Sequence, residues 1–121
     1  MLLRFTLKGD HMQQINTEHT LNVTMAMILN IGNARSLIAA ALADVAGYRY
    51  QAAREKMRRA EAELLTAQQL QARRLVENAE AHRFVHSTLF MNAQATLVKV
   101  MSEFHMTQNL VSAFEHWEPE Q

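Results

Sequence analysis

His82 and His86 stand four residues apart, the spacing at which one helix face presents two metal ligands. A stable site needs further donors. Glu80 falls on a different face and no third ligand lies close by, so the pair reads as surface or interface imidazoles rather than a metal centre. Ser36, Ser87, Ser102 and Ser112 are not framed by the glycines of a nucleophile elbow. Gly9, Gly32 and Gly47 are too widely spaced to cradle a phosphate. The chain contains no cysteine, which removes thiolate chemistry and disulfides. The densest charge is Arg54, Lys56, Arg58 and Arg59, with Arg73 and Arg74 further on. Such a run is either a solvated helix face or a docking surface for an acidic or phosphorylated partner. These residue types suggest no cofactor and no catalytic group of their own.

The elements that must position these groups are helices. A single proline, Pro119, and three glycines in 121 residues leave few breakers. Many alanines and eight methionines favour helix as well. From Glu18 to Ala46 the residues Leu21, Met25, Ile28, Ile31, Ile38, Ala41, Leu42 and Val45 recur at three- and four-residue steps, predicting a helix with a wide apolar face. Gly32 inside it suggests close approach by a neighbouring helix. Gly47-Tyr48-Arg49-Tyr50 is the first turn. A second helix runs from about Tyr50 to Glu77, with Ala53, Met57, Ala60, Leu64, Ala67 and Leu70 or Gln71 facing inward. A break over 78–82 precedes a third helix from about Arg83 to His116, carrying Leu89, Val100, Met101, Phe104, Leu110, Val111 and Phe114. The expectation is an all-α, antiparallel three-helix bundle over residues 18–117. An irregular extension (1–17, with Asn16 or Thr17 capping the first helix) precedes it, and a polar tail (118–121) follows.

Composition narrows the function classes. Twelve basic and twelve acidic residues cancel, which argues against a nucleic-acid binder or a polybasic membrane anchor. The opening Met1-Leu2-Leu3 is broken at Arg4, too short for a signal peptide. No unbroken apolar run approaches the roughly 18 residues of a membrane span. A cytoplasmic protein without membrane insertion is expected.

Three segments carry a family resemblance. Met25 to Leu37 contains Gly32, Ala34, Arg35 and Ser36, matching the G-x-A-R-S/K element after an apolar run. Tyr50 to Met57 places an aromatic residue before an alanine-rich stretch, and Ala67 and Gln71 match part of an N-E-A-H-x-x-Q pattern. Ala93, Gln94 and Leu97 keep part of a V-H-A-Q-D-H-L helix. Together they resemble the lactose/cellobiose-type IIA component of the bacterial sugar phosphotransferase system, in register from about Leu21 to His116. The resemblance implies a helical trimer. A histidine on the third helix would take a phosphoryl group from HPr and pass it to IIB, and an aspartate three residues later would bind a cation at the centre.

Those roles fall on Asn92 and Ala95, with Thr96 at the second histidine position. An imidazole nitrogen is nucleophilic near neutral pH, whereas an asparagine amide is not. Ala95 offers no oxygen to a hard cation. No other histidine takes the vacated place. Around an ideal helix His86 lies roughly 120° and His105 roughly 140° from Asn92, while His82 is about 15 Å up the axis. Neither phosphohistidine nor metal site is therefore expected, and enzymatic phosphoryl transfer is disfavoured. Thr88, Asn92, Ala95, Thr96 and Lys99 instead suggest an oligomer seam in which an asparagine sets register. Arg54, Lys56, Arg58 and Arg59 suggest partner docking. The expected activity is protein binding, as a regulator or adaptor, by a self-associating protein (a trimer favoured) with phosphotransferase-system or other protein partners. Two alternatives stay open: an active phosphocarrier using a displaced histidine, and an unrelated helical adaptor or chaperone.

Overall fold

A computed structural model describes the backbone of residues 2–80 and 88–117, and the side chains of residues 18–78 and 88–117. Three helices follow in order: α1 (Leu2–Ala46), α2 (Tyr50–Glu80) and α3 (Thr88–Glu115). They pack as an all-α bundle, each against the other two. Residue pairings set the directions. Asp44 meets Lys56 at one end of α1 and α2, and Thr20 meets Arg74 at the other, so these helices are antiparallel. Arg54 pairs with Glu115, and Gln68 donates to the Met101 sulfur at 3.0 Å, so α3 runs antiparallel to α2 and parallel to α1.

The core follows from one pattern repeated on each helix. Buried positions are Thr20, Thr24, Met27, Ile31, Ala34, Ile38 and Ala41 on α1, and Ala53, Met57, Ala60, Leu64 and Ala67 on α2. On α3 they are Phe90, Ala93, Leu97, Val100, Phe104, Thr107 and Val111. Along these positions steps of three and four alternate, the 3.5-residue period of a coiled-coil seam, and the alternation ends at buried Asp44, three residues after Ala41. Small α2 side chains (Ala53, Ala60, Ala67) alternate with Met57 and Leu64. This interdigitates large with small and fills the interior without strain.

The narrow seam corrects the sequence reading in a definite way. A wide apolar face was expected on α1, yet Leu21, Met25, Ile28 and Leu42 are exposed, and the threonines Thr20 and Thr24 take seam positions instead. Thr24 can be buried because its hydroxyl donates to the Thr20 carbonyl at 2.7 Å. On α3, Leu89, Leu110 and Phe114 are likewise exposed, and Phe90, Ala93, Leu97 and Thr107 lie inside. A 3.5-residue seam uses about two residues in seven, so apolar residues beyond that quota are left outside.

Boundaries differ too. The stretch before residue 18 is helical from Leu2, so Asn16 and Thr17 lie within α1 and cap nothing. Helix α2 continues through Glu80, past the expected end at Glu77. Helix α3 is described from Thr88 onward, and the expected start at Arg83 and the tail 118–121 lie outside the described residues. Glu18–Ala46 is also long enough, with a mean hydropathy of 1.4 over its best window, to meet the length and composition of a membrane span. Alanine, isoleucine and leucine raise that mean although polar residues interrupt every run.

The α1–α2 turn is a Schellman arrangement. The Arg49 amide donates to the Asp44 carbonyl at 2.8 Å and the Tyr48 amide to the Val45 carbonyl at 3.0 Å. The left-handed residue is Tyr48, with φ 61°, and not the preceding Gly47. Gly47 serves a different need: a Cβ there would run into the Arg49 guanidinium, which folds back onto the Asp44 carboxylate at 3.1 Å and the Ala43 carbonyl at 3.5 Å. Asp44 is thus buried beneath Lys56 and Arg49. The hydrogen bond from Lys56, with Arg49 adding to it, holds its carboxyl below the ordinary value.

Candidate functional site

The α1–α3 side of the bundle gathers the residues that the sequence singled out. Ile28, Ile31, Gly32 and Arg35 on α1 face Leu89, Asn92, Ala93 and Thr96 on α3 across a groove of about 350 Å³. Ile31 and Ala93 belong to the seam and form its buried floor. Gly32 does not serve the close helix approach expected of it. Apart from its chain neighbours and its own helix backbone, nothing lies within 4 Å of the place its Cβ would occupy, so it leaves an open flank in the groove wall.

Arg35 closes one end. Its guanidinium grips Glu103 of α3 through two hydrogen bonds of 2.9 and 3.3 Å. The distinctive arginine of α1 is therefore a tie between α1 and α3, with its charge already matched. Asn92 is exposed at the groove rim. Its carbonyl accepts a hydrogen bond from the Thr96 hydroxyl at 2.8 Å, which occupies the only hydroxyl in the groove.

The five residues expected to form one seam divide between two stripes. Asn92, Thr96 and Lys99 fall within about 60° of one another around the helix, on the groove side that also carries Glu103. Ala95 turns away and shares an outward stripe with Met91 and Val98, which are 56% and 65% exposed, whereas Met106 continues the seven-residue column of Asn92 and Lys99. Thr88 is exposed at the start of α3.

The residues around Ala95 do not fit a hard cation. Its methyl group supplies no donor, the Thr96 hydroxyl is committed to Asn92, and the ammonium of Lys99 follows one turn later. Among the described residues no group of three or more histidine, cysteine or acidic side chains gathers in one place. His82 and His86 lie outside the described residues. Of the described histidines, none reaches the groove. His19 bonds Glu77 at 2.9 Å between α1 and α2. His105 borders a separate cleft with Gln68 and Met101 between α2 and α3. His116 caps the end of α3 through the Ser112 carbonyl at 2.8 Å.

The cations of α2 are largely engaged by carboxylates of the same chain. Arg54 pairs with Glu115, Lys56 with Asp44, and Arg58 with Glu55 at 2.6 Å. The Arg58 hydrogen bond lowers the Glu55 pKa. Arg59 is exposed. Arg74 is not part of a surface run at all. It is buried between α1 and α2, where it meets Thr20 and Glu77. His19 and then Arg74 hold the Glu77 carboxyl below its ordinary value. Sequence periodicity gave one signal for this burial, since Arg74 continues the seven-residue step from Ala60 and Ala67.

Chemically, the groove offers an apolar floor, one neutral amide and one matched arginine, and no nucleophile; Lys99 lies one turn beyond its last α3 residue. Its place on the third helix and the G-x-A-R-S element opposite it are the features that carried the resemblance. Comparison with curated proteins gave no match, and comparison with solved structures gave none. The family model described as "PTS system, Lactose/Cellobiose specific IIA subunit" matches residues 22–115, which include α2, α3, the groove and both ends of the Arg35–Glu103 tie. The chain therefore belongs to the lactose/cellobiose-specific IIA family of the phosphotransferase system.

Proposed function

We propose that this IIA-family protein carries no phosphoryl group and acts by binding other proteins, as a regulator or adaptor within or beside a sugar phosphotransferase system. The observation that carries this reading is Asn92. It stands at the rim of the α1–α3 groove where the resemblance calls for the phosphohistidine, and His19, His105 and His116 all point to other parts of the bundle. An amide cannot accept and return a phosphoryl group at neutral pH. The test is incubation with phosphoenolpyruvate, enzyme I and HPr, followed by a search for an acid-labile phosphoryl adduct. No adduct is expected on the unaltered protein. Label on any histidine of the unaltered protein, His82 and His86 included, would restore the phosphocarrier alternative.

Self-association belongs to the same reading. Met91, Ala95 and Val98 make an apolar stripe on the outward side of α3, beside the groove. A trimer about this stripe, held without a divalent cation, accounts for the loss of the carboxylate at Ala95. Lys99 lies at the stripe's edge rather than its centre, which spares the assembly a cluster of like charges. Docking of phosphotransferase or other partners is placed at the groove in preference to Arg54, Lys56 and Arg58, because those cations are already matched within the chain. Arg59 remains available as a secondary contact. A cytoplasmic location fits this function.

A further inference from the structure

We propose, on the reading that the groove is a protein-binding site, that it docks a helical segment of another protein bearing a large apolar side chain and a carboxylate two turns along. Two features define the two anchors. The first is the open flank at Gly32. With nothing but its chain neighbours and its own helix backbone within 4 Å of its absent Cβ, and with Ile31 and Ala93 as a buried floor, the groove has room there for an aliphatic side chain. Seating one there removes apolar surface of both partners from water.

The second anchor is Lys99. In an α-helix a lysine ordinarily finds a carboxylate three or four residues away. Here those positions are Ala95, Thr96, Ser102 and Glu103, and both oxygens of Glu103 are taken by Arg35. On α1, Asp44 is held by Lys56 and Arg49. Glu18 lies 17 residues before Arg35, or about 25 Å along the helix axis. Lys99 is exposed and, among the described residues, is left without a matching carboxylate at the edge of an apolar surface. A partner carboxylate is the group that complements it.

The separation fixes the partner's pattern. Asn92, beside the seat, and Lys99 are seven residues apart on one side of α3, about 10.5 Å along the axis. A helix lying in the groove matches them with an apolar residue at one position and an aspartate or glutamate seven positions away. Self-association uses the neighbouring stripe of Met91, Ala95 and Val98 and leaves the groove free for this contact.

The probes are neutral helical peptides with leucine and glutamate seven residues apart. Control peptides replace the glutamate by lysine or the leucine by alanine. Binding to the full-length protein is followed by amide chemical shifts. The leucine–glutamate peptide is expected to shift Gly32, Asn92 and Lys99. It should bind about two- to fivefold more tightly than the lysine control, the range of a surface ion pair. Lys99→Met should erase that preference. Gly32→Leu, a change into open space that also favours helix, should abolish binding while leaving the fold intact. Equal binding of both peptides, a preference that survives Lys99→Met, or shifts confined to other surfaces would overturn the proposal. Loss of self-association in Glu18→Lys, recovered by adding Lys99→Glu, would place a second copy in the groove and overturn it too. Failure of peptide binding in a protein that also resists phosphorylation rejects the partner chemistry alone. Phosphorylation of the unaltered protein rejects the reading beneath it.

Discussion

Replacing Tyr48 with glycine should stabilise this protein, although it removes an aromatic residue. Tyr48 holds the left-handed position of the α1–α2 turn at φ 61°. A residue with a Cβ pays about 1–2 kcal/mol in that conformation. Its ring is 80% exposed, so its loss forfeits little burial. Glycine's extra freedom in the unfolded chain costs back about 0.5–1 kcal/mol. The net gain is about 0.5–1 kcal/mol. At about 2.1 cal/mol/K per residue over 121 residues, that raises Tm by about 2–4 °C. Gly47→Ala makes the contrast. No glycine has a positive φ, so alanine at 47 gains about 0.4–1 kcal/mol through the unfolded state. Its Cβ also displaces the Arg49 guanidinium from Asp44 and the Ala43 carbonyl. The two effects should nearly cancel. Thermal and urea melts followed by circular dichroism, at one fixed protein concentration, measure both. A lower Tm in Tyr48→Gly together with a loss above about 1 kcal/mol in Gly47→Ala would show that Gly47 is the left-handed residue and that the turn register is wrong.

Leu97→Ala, at a seam position only 1% exposed, should cost about 2–5 kcal/mol in urea unfolding, whereas Val98→Ala, next to it and 65% exposed, should cost far less in the separated monomer. Asp44, Glu55 and Glu77 all have carboxyls held below their ordinary values of 3.8, 4.5 and 4.5. Their contribution is complete above those values and is lost as pH falls through the lowered folded ones, so stability should hold at pH 5–7 and decline below about pH 4.5 in an acid titration; Asp44→Asn should flatten that decline. Sedimentation should give the same oligomer with and without chelator, and Met91→Glu or Val98→Glu should disperse it; dissociation on chelation alone would contradict the cation-free assembly.

Much of the bundle was legible in the chain because scarce breakers and three-and-four spacing constrain helices directly. The α2 seam of Ala53, Met57, Ala60, Leu64 and Ala67 was read correctly, since charged residues fill its other faces and mark the inside by contrast. On α1 and α3 that contrast is missing. Leu21, Met25 and Ile28 are as apolar as Met27 and Ile31, and periodicity cannot choose between adjacent stripes when both are apolar. Thr20 and Thr24 compound the difficulty, because a threonine bonded to its own helix carbonyl is buried at little cost. The groove was half legible. Asn92 and Ala95 were found by resemblance, and their division between groove and outward stripe required the bundle. The Arg35–Glu103 tie joins residues 68 positions apart, beyond any local pattern. That tie is what leaves Lys99 without a carboxylate among the described residues.

The central claim is that the family's frame persists here without its phosphoryl chemistry. Its most direct test is radiolabelled phosphoenolpyruvate with enzyme I and HPr, applied in parallel to the unaltered protein and to Asn92→His combined with Ala95→Asp. The account predicts no acid-labile label on the unaltered protein and a gain of label, at position 92, in the double variant. Label on the unaltered protein would contradict it.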